Sequence, residues 1–280
     1  MKKYDCLIIE GGGFKTSFTA GVLDAFISHN YFDFDKIIGV SGGSIAASYY
    51  LSGQYRYTIN AMRILAKDPQ FANYRRALTG KAYLDIDYLQ NVASKKVSFD
   101  VEKALKNAKK MKPFFVATHR EKGKPEYFTP CKKNWIQMVI ASCTLPFATK
   151  GVHKIDDETY FDGGWSDPLP IKWAIKNGSK KILVLRTKPS GIKVKQDWAD
   201  YFGSIYFKST PRLAKTFESV WKTYNDSCEY LLNPTKGIEI DQIAPKKFLK
   251  SGTYSYSKNT LMLDYRYGLD RGCMHLVEKS

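Results

Sequence analysis

Three short segments carry residue types that together can perform acyl transfer. The first is Gly39-Val40-Ser41-Gly42-Gly43, directly after the strand-like Lys36-Ile37-Ile38 and directly before Ser44-Ile45-Ala46-Ala47-Ser48. A Gly-x-Ser-x-Gly element between a strand and a helix puts its serine on a sharp turn, with the hydroxyl projecting at the top of a sheet. Glycine suits the flanking positions because side chains there would strike neighbouring backbone. The second segment is Gly11-Gly12-Gly13, after Cys6-Leu7-Ile8-Ile9-Glu10. It precedes Thr16 to Ser28, where Phe18, Val22 and Phe26 recur at helical spacing with Leu23 and Ile27 on the same face. A glycine loop in that place exposes backbone N–H groups at the positive end of a helix dipole. It suits either a phosphate or the oxyanion of an acyl-transfer intermediate. Thr16 stands where the last glycine of a dinucleotide fingerprint would fall, and no Gly-Lys-Ser/Thr follows, so the phosphate reading is poorly supported. A tight turn that binds nothing is the remaining alternative.

The third segment is Asp162-Gly163-Gly164, between Thr159-Tyr160-Phe161 and Trp165-Ser166-Asp167-Pro168-Leu169-Pro170. In isolation it is an ordinary turn. It gains meaning because a serine nucleophile needs a base to take its proton. The chain has 4 histidines, His29, His119, His153 and His275, and none stands in a setting that pairs with Ser41. A carboxylate serves instead if burial raises its pKa and it lies within hydrogen-bond reach. An aspartate closing a short strand, followed by two glycines, can approach another loop that closely.

These segments need a scaffold. Residues 4–52 read strand, glycine loop, helix, strand, nucleophile turn, helix. Residues 55–95 read as helical and irregular material rich in Tyr and Arg. Phe114 to Thr118, Tyr127 to Thr129 and Ile182 to Leu185 read as strands, and Trp135 to Ala141 as a helix ended near Pro146. Beyond Pro189-Ser190-Gly191 the chain reads as helical to about Leu232, with Pro211 dividing it into two helices. Gly237 to Ile240 reads as an added strand and Lys258 to Glu278 as a closing helix. Strands alternating with helices predict an α/β fold: a three-layer sandwich with a central, mainly parallel sheet and a mostly helical C-terminal portion. The break divides the chain into a catalytic domain over residues 1–190 and a helical extension over 191–280 packed on it.

In their order, Glu10-Gly11-Gly12-Gly13-Phe14-Lys15, Gly39-Val40-Ser41-Gly42-Gly43 and Asp162-Gly163-Gly164 resemble the patatin-like phospholipase family. Weaker echoes are Ala141 to Pro146, Pro168-Leu169-Pro170-Ile171 and Lys181 to Leu185. The resemblance covers roughly residues 4–190 and is closest to compact bacterial members. It implies a lipid acyl hydrolase with a Ser41–Asp162 dyad, a Gly11-Gly12-Gly13 oxyanion hole, and neither metal nor cofactor. It departs from the family at Lys15, where Arg is usual, and at Thr16, where Gly is usual. Lys offers one mobile ammonium in place of a rigid fork, and a β-branched residue resists positive φ. Two alternatives stay open: a nearly inactive lipid-binding or regulatory protein on the same fold, and a general carboxylesterase acting on soluble esters. If Asp162 is the base, the pH–rate profile should carry one acidic limb and no histidine-type limb near about 6.5.

At 280 residues and 44% apolar composition the chain can bury a full core. Five cysteines, Cys6, Cys131, Cys143, Cys228 and Cys273, are scattered without Cys-x-x-Cys, which indicates neither a disulfide framework nor a zinc site. Cys6 falls in the first strand and reads as core. Without a signal-peptide core or a bilayer-length apolar run, the expected location is the cytoplasm, with peripheral membrane contact. The net charge of +17 suits an anionic partner. No nucleic-acid-binding signature appears, so the partner expected is a phospholipid or another acyl ester, met by transient adsorption to an anionic membrane surface. Lys95-Lys96, Lys103, Lys106, Lys109, Lys110 and Lys112 form the densest basic stretch, and with Asp100 as N-cap before Val101-Glu102 it reads as a short surface helix, a solvated face rather than a dedicated binding site. Trp198 to Tyr224 interleaves aromatics with Lys208, Arg212, Lys215 and Lys222, a pattern that suits either a membrane interface or packing onto the domain.

Overall fold

The computed structural model describes residues 4–73, 75, 83–149, 153–254 and 257–278. Its first half runs β1 (Cys6–Ile9), α1 (Thr16–Ser28), β2 (Lys36–Val40), α2 (Gly42–Leu51), α3 (Tyr57–Leu65), α4 (Tyr88–Asn91), α5 (Val101–Ala108) and β3 (Lys112–His119). The second half runs β4 (Lys124–Phe128), α6 (Trp135–Ser142), β5 (His153–Ile155), β6 (Glu158–Asp162), α7 (Ile171–Lys176) and β7 (Lys181–Leu185). It closes with α8 (Trp198–Tyr206), α9 (Pro211–Leu232), β8 (Glu239–Ile243) and α10 (Lys258–Glu278). The strands form one sheet in the order β5-β6-β3-β2-β1-β7-β8, with β4 also paired to β3. Neighbours from β3 to β8 along this order are parallel, whereas β4, β5 and β6 pair antiparallel. The sheet is therefore mixed and mostly parallel, as expected.

Alternation along the strands explains the two layers of helices. Leu7, Ile9, Ile37, Leu183 and Leu185 face one apolar cluster, which takes in Phe18, Phe26, Ala47 and Tyr50 of α1 and α2 with Leu261 and Tyr265 of α10. Cys6, Ile8, Ile38, Val40, Ile182 and Val184 face the other, with Ile171 and Ala174 of α7 and Tyr224, Cys228 and Leu231 of α9. A strand buried on both faces reads as a continuous apolar run, which is what β1 and β7 show. Cys6 is fully buried, as expected.

Several boundaries follow from local chemistry. Asp100 caps α5, its side chain accepting from the Lys103 N–H at 2.9 Å. Pro211 occupies the first turn of α9, where its missing N–H costs nothing, and so separates α9 from α8. The last strand begins at Glu239, two residues later than expected, because Gly237 turns at φ 87°. The stretch over 55–95 contains α3 and α4; residues 74 and 76–82 lie outside the described residues.

The register brings the three segments together. Ile9 lies opposite both Gly39 and Leu185, so the chain leaves β1, β2 and β7 at one edge of the sheet. Val40 lies opposite Val116, and Ala117 opposite Asp162, which sets the end of β6 beside the end of β2. Ligand sites in open parallel sheets form at the carboxyl ends of the strands for this reason.

Candidate active site

Ser41 has φ 54° and ψ −129°, a left-handed backbone that only glycine adopts without strain. Holding a non-glycine residue there costs about 1–3 kcal/mol, so the surroundings must enforce it. They do so on three sides. The Ser41 N–H donates to Ser142 Oγ at 2.9 Å, Ser142 Oγ is bonded to Ser44 Oγ at 2.9 Å, and the Ser44 N–H donates to the Ser41 carbonyl at 2.8 Å. Gly39 is squeezed against α2: a Cβ there would lie 2.7 Å from Ser44 Cα.

Asp162 is only 4% exposed. Its Oδ1 accepts from the Gly164 N–H at 2.7 Å, and its own N–H donates to the Thr144 carbonyl at 2.7 Å. Thr118 Oγ1 donates to the Asp162 carbonyl at 2.8 Å. Gly163 passes so close to β3 that any Cβ would collide with the Val116 carbonyl. The Ser41 hydroxyl is near enough to the carboxylate to lower its pKa, and both groups line one cleft. Burial pushes the Asp162 pKa up to about 7, only partly offset by the Ser41 hydroxyl and the Gly164 amide. The titration expected on the acidic side thus falls in the range usually given to histidine. The Cys143 thiol sits beside both groups; burial, then the nearby carboxylate, holds its pKa well above the usual thiol value, so it stays protonated. The histidines are engaged elsewhere: His29 with the Ala25 carbonyl, His119 with Glu158, His153 with Asp87, and His275 against the rings of Tyr4 and Phe26.

The glycine loop faces Ser41 from β1. A Cβ on Gly11 would lie 2.7 Å from Ser41 Cβ and 2.8 Å from the Val40 carbonyl oxygen. Among the described residues no backbone carbonyl accepts from the Gly11, Gly12 or Gly13 amide. Thr16 is no obstacle to this geometry: its φ is −58°, in the right-handed helical region, and its hydroxyl fills the space above Gly42. Lys15 is partly buried; burial, then repulsion from Lys188, lowers its pKa against the attraction of Glu10.

Behind the loop lies a buried polar network that the motifs did not reveal. Glu10 Oε2 accepts from Arg186 Nε at 3.3 Å and from the Thr187 N–H at 2.6 Å. Glu10 Oε1 accepts from the Tyr224 hydroxyl at 2.9 Å and from Lys188 Nζ at 3.5 Å. Arg186 Nη2 also donates to the Tyr224 hydroxyl at 2.8 Å, and Thr187 Oγ1 to the Gly11 carbonyl at 2.7 Å. Burial opposes the charge on Glu10, but Lys188, Arg186, the Thr187 amide and the Tyr224 hydroxyl outweigh it and hold its pKa below the usual value. On the far side, Gly13 turns at φ 58° against the Thr253 carbonyl, which leaves no room for a Cβ and accepts from the Phe14 N–H at 3.4 Å. Tyr224 and Thr253 thus reach the loop from beyond residue 190. Tyr224→Phe removes one hydroxyl from two buried charged partners and should cost about 1.5–3 kcal/mol of stability. Urea unfolding of the variant measures this; a change under about 0.5 kcal/mol would show the hydroxyl to be dispensable.

Ser41, Asp162 and all three loop glycines line one cleft of about 360 Å³, within the range of small-molecule sites. Its apolar lining includes Met62, Leu65, Phe71, Leu84, Ile86 and Leu89. Lys188, Tyr224 and Tyr254 also line it, as does Trp198 at the N-terminus of α8. A larger hollow of about 840 Å³, bordered by Arg63, Lys67, Asp68 and Lys96, contains none of these groups. A serine hydroxyl, a buried carboxylate, candidate oxyanion donors and an apolar lining are the components acyl transfer requires.

A family model described as patatin-like phospholipase matches residues 7–175, and a domain of unknown function matches residues 210–276. The chain is similar to the uncharacterized protein YjjU of Escherichia coli K12, at 29% identity over 268 residues, covering 94% of this chain and 74% of YjjU. Among solved structures it is similar to VipD from Legionella pneumophila, at 11% identity and a TM-score of 0.49, covering 99% of this chain and 67% of VipD.

Proposed function

We propose that this chain, which belongs to the patatin-like phospholipase family, is a serine-dependent lipid acyl hydrolase that uses Ser41 and Asp162 as a dyad. The observation that carries the reading is a serine held at φ 54° on the same cleft as a buried aspartate, with no histidine lining that cleft among the described residues. Ionised Asp162 takes the Ser41 proton as Oγ bonds to the ester carbonyl carbon. The carbonyl oxygen gains the negative charge, and the amides of Gly11, Gly12 and Gly13 are the donors proposed to hold it. Collapse breaks the bond to the alcohol, which leaves with the proton returned by Asp162. Water, deprotonated by the same carboxylate, then attacks the acyl carbon; the bond to Ser41 Oγ breaks, Asp162 returns the proton to Oγ, and the carboxylic acid leaves.

The apolar lining suits an acyl chain, and the partner proposed is phospholipid or another acyl ester met at an anionic membrane surface. Among the described residues no helix is long and apolar enough to cross a membrane. Labelling with a fluorophosphonate, followed by turnover of phospholipids, lysophospholipids, triacylglycerols and short esters, tests the reading. Absence of both labelling and turnover would return the chain to the lipid-binding alternative.

The loop assignment has its own test. Gly11→Ala drives a methyl group to within 2.7 Å of Ser41 Cβ, so the loop must withdraw from the position an oxyanion would take. Losing one such donor typically costs about 3 kcal/mol of transition-state stabilisation. The variant should therefore lose kcat with little change in KM. An unchanged kcat would remove the loop from the mechanism.

A further inference from the structure

Helix α8 is built with its apolar side outward. Trp198 is 76% exposed, Tyr201 61%, Phe202 46%, Ile205 53% and Tyr206 63%. The side turned to the protein carries Asp200, Gly203 and Phe207, and Gly203 lies so near the Phe217 ring that a Cβ there would strike it. A helix on a water-facing surface normally shows the reverse arrangement. Packing therefore accounts for Phe207, Phe217 and Tyr224 in the aromatic stretch, and the Phe202 and Tyr206 rings lean on Phe147 at 5.1 and 5.6 Å, so the outer face left open is that of Trp198, Tyr201 and Ile205.

Two further observations say what covers that face. The first is continuity: Asp197, Trp198, Ala199 and Asp200, the start of α8, line the same cleft as Ser41. The second is charge. Lys193 and Lys195 lie exposed just before the helix, and Lys208, Arg212 and Lys215 just after it, on a chain of net charge +17. An apolar aromatic face rimmed by cations matches a bilayer, where rings enter the headgroup zone and ammonium groups meet lipid phosphate. The same rim opposes a second copy of the chain, since two such faces would bring like charges together.

We propose that the outer face of α8 docks the protein on an anionic lipid surface, and that an acyl chain passes from the bilayer over Trp198 into the cleft. The second half of this statement rests on the hydrolase reading; the first does not. Tyr201 and Ile205 separate the two, because neither lines the cleft. The full-length chain and its Tyr201→Ser/Ile205→Ser variant are sedimented with vesicles of ether-linked phosphatidylcholine, alone or mixed equally with ether-linked phosphatidylglycerol. Turnover of a soluble short-chain ester is measured in parallel. The parent protein should bind the anionic vesicles, release them at high salt, and prefer them to neutral ones. The variant should bind at least about tenfold more weakly yet turn over the soluble ester within about twofold of the parent.

Equal binding by parent and variant, or no binding by the parent, overturns the docking proposal. So does a parent that sediments without lipid at twice the monomer mass and a variant that does not, since the occupant is then a second copy. Vesicle binding that depends on Tyr201 and Ile205, with no ester turnover in either protein, supports the docking surface and overturns the hydrolase reading alone.

Discussion

Ser41→Ala should abolish ester turnover and fluorophosphonate labelling while leaving the fold intact. Removing the nucleophile of a serine hydrolase costs about a million-fold in kcat, because the other members of the constellation cannot act without it. The fold should survive because the bonds holding the turn belong to the backbone: the N–H at position 41 still donates to Ser142 Oγ, and its carbonyl still accepts from the Ser44 N–H. Alanine inherits the strain at φ 54°, so stability should scarcely move. Ser41→Gly, equally inactive, should relieve about 1 kcal/mol or more of that strain and melt higher. Near-normal turnover by the alanine variant sinks the assignment of Ser41. Equal melting temperatures for the alanine and glycine variants would mean that the turn stores no strain.

How much of this was legible beforehand depends on how locally each feature is determined. The serine turn and the glycine loop could be read because each lies within one strand–loop–helix unit, where spacing alone fixes the geometry. Asp162 needed one inference more, from the setting of the histidines, and its place beside Ser41 is a matter of register: Val40 opposite Val116, Ala117 opposite Asp162. The helix over Lys258–Glu278 and the proline start of α9 were equally local.

The rest depends on contacts between residues far apart in sequence. Glu10 and the Tyr224 hydroxyl are separated by 214 positions, and no motif links them. Arg186 directly follows the apolar strand β7, and only the pairing of β7 with β1 brings it to Glu10. Thr16 invited doubt only because a family pattern has glycine there; its actual backbone, φ −58°, suits a β-branched residue. The aromatic stretch over Trp198 to Tyr224 admitted two readings: packing holds for Phe207, Phe217 and Tyr224, and the membrane interface is the proposal made for the exposed face of α8. Composition cannot say which side of α8 meets the domain; the close approach of Gly203 to Phe217 decides it.

Asp162→Asn keeps the shape of the site but removes the proposed base, and should lower kcat by up to about 10⁴-fold. The pH dependence of the parent enzyme carries the more specific expectation. Only ionised Asp162 can accept the Ser41 proton, so kcat/KM should rise with pH and level off above about 7, the value to which burial lifts this carboxyl. The limb then coincides with that of a histidine enzyme, and its disappearance in the asparagine variant identifies the group. Stability should show the same titration from the other side. The folded-state pKa of about 7 lies above the ordinary 3.8, so the aspartate's relative stability is fully present below the lower value and is lost as pH rises through the upper one. Burying that charge is a cost the active site bears at working pH, and Asp162→Asn is relieved of it. The variant's advantage in melting temperature should therefore grow between about pH 4 and pH 7 and stay constant above. A limb near pH 4, or an advantage independent of pH, would show that Asp162 does not titrate as a buried base.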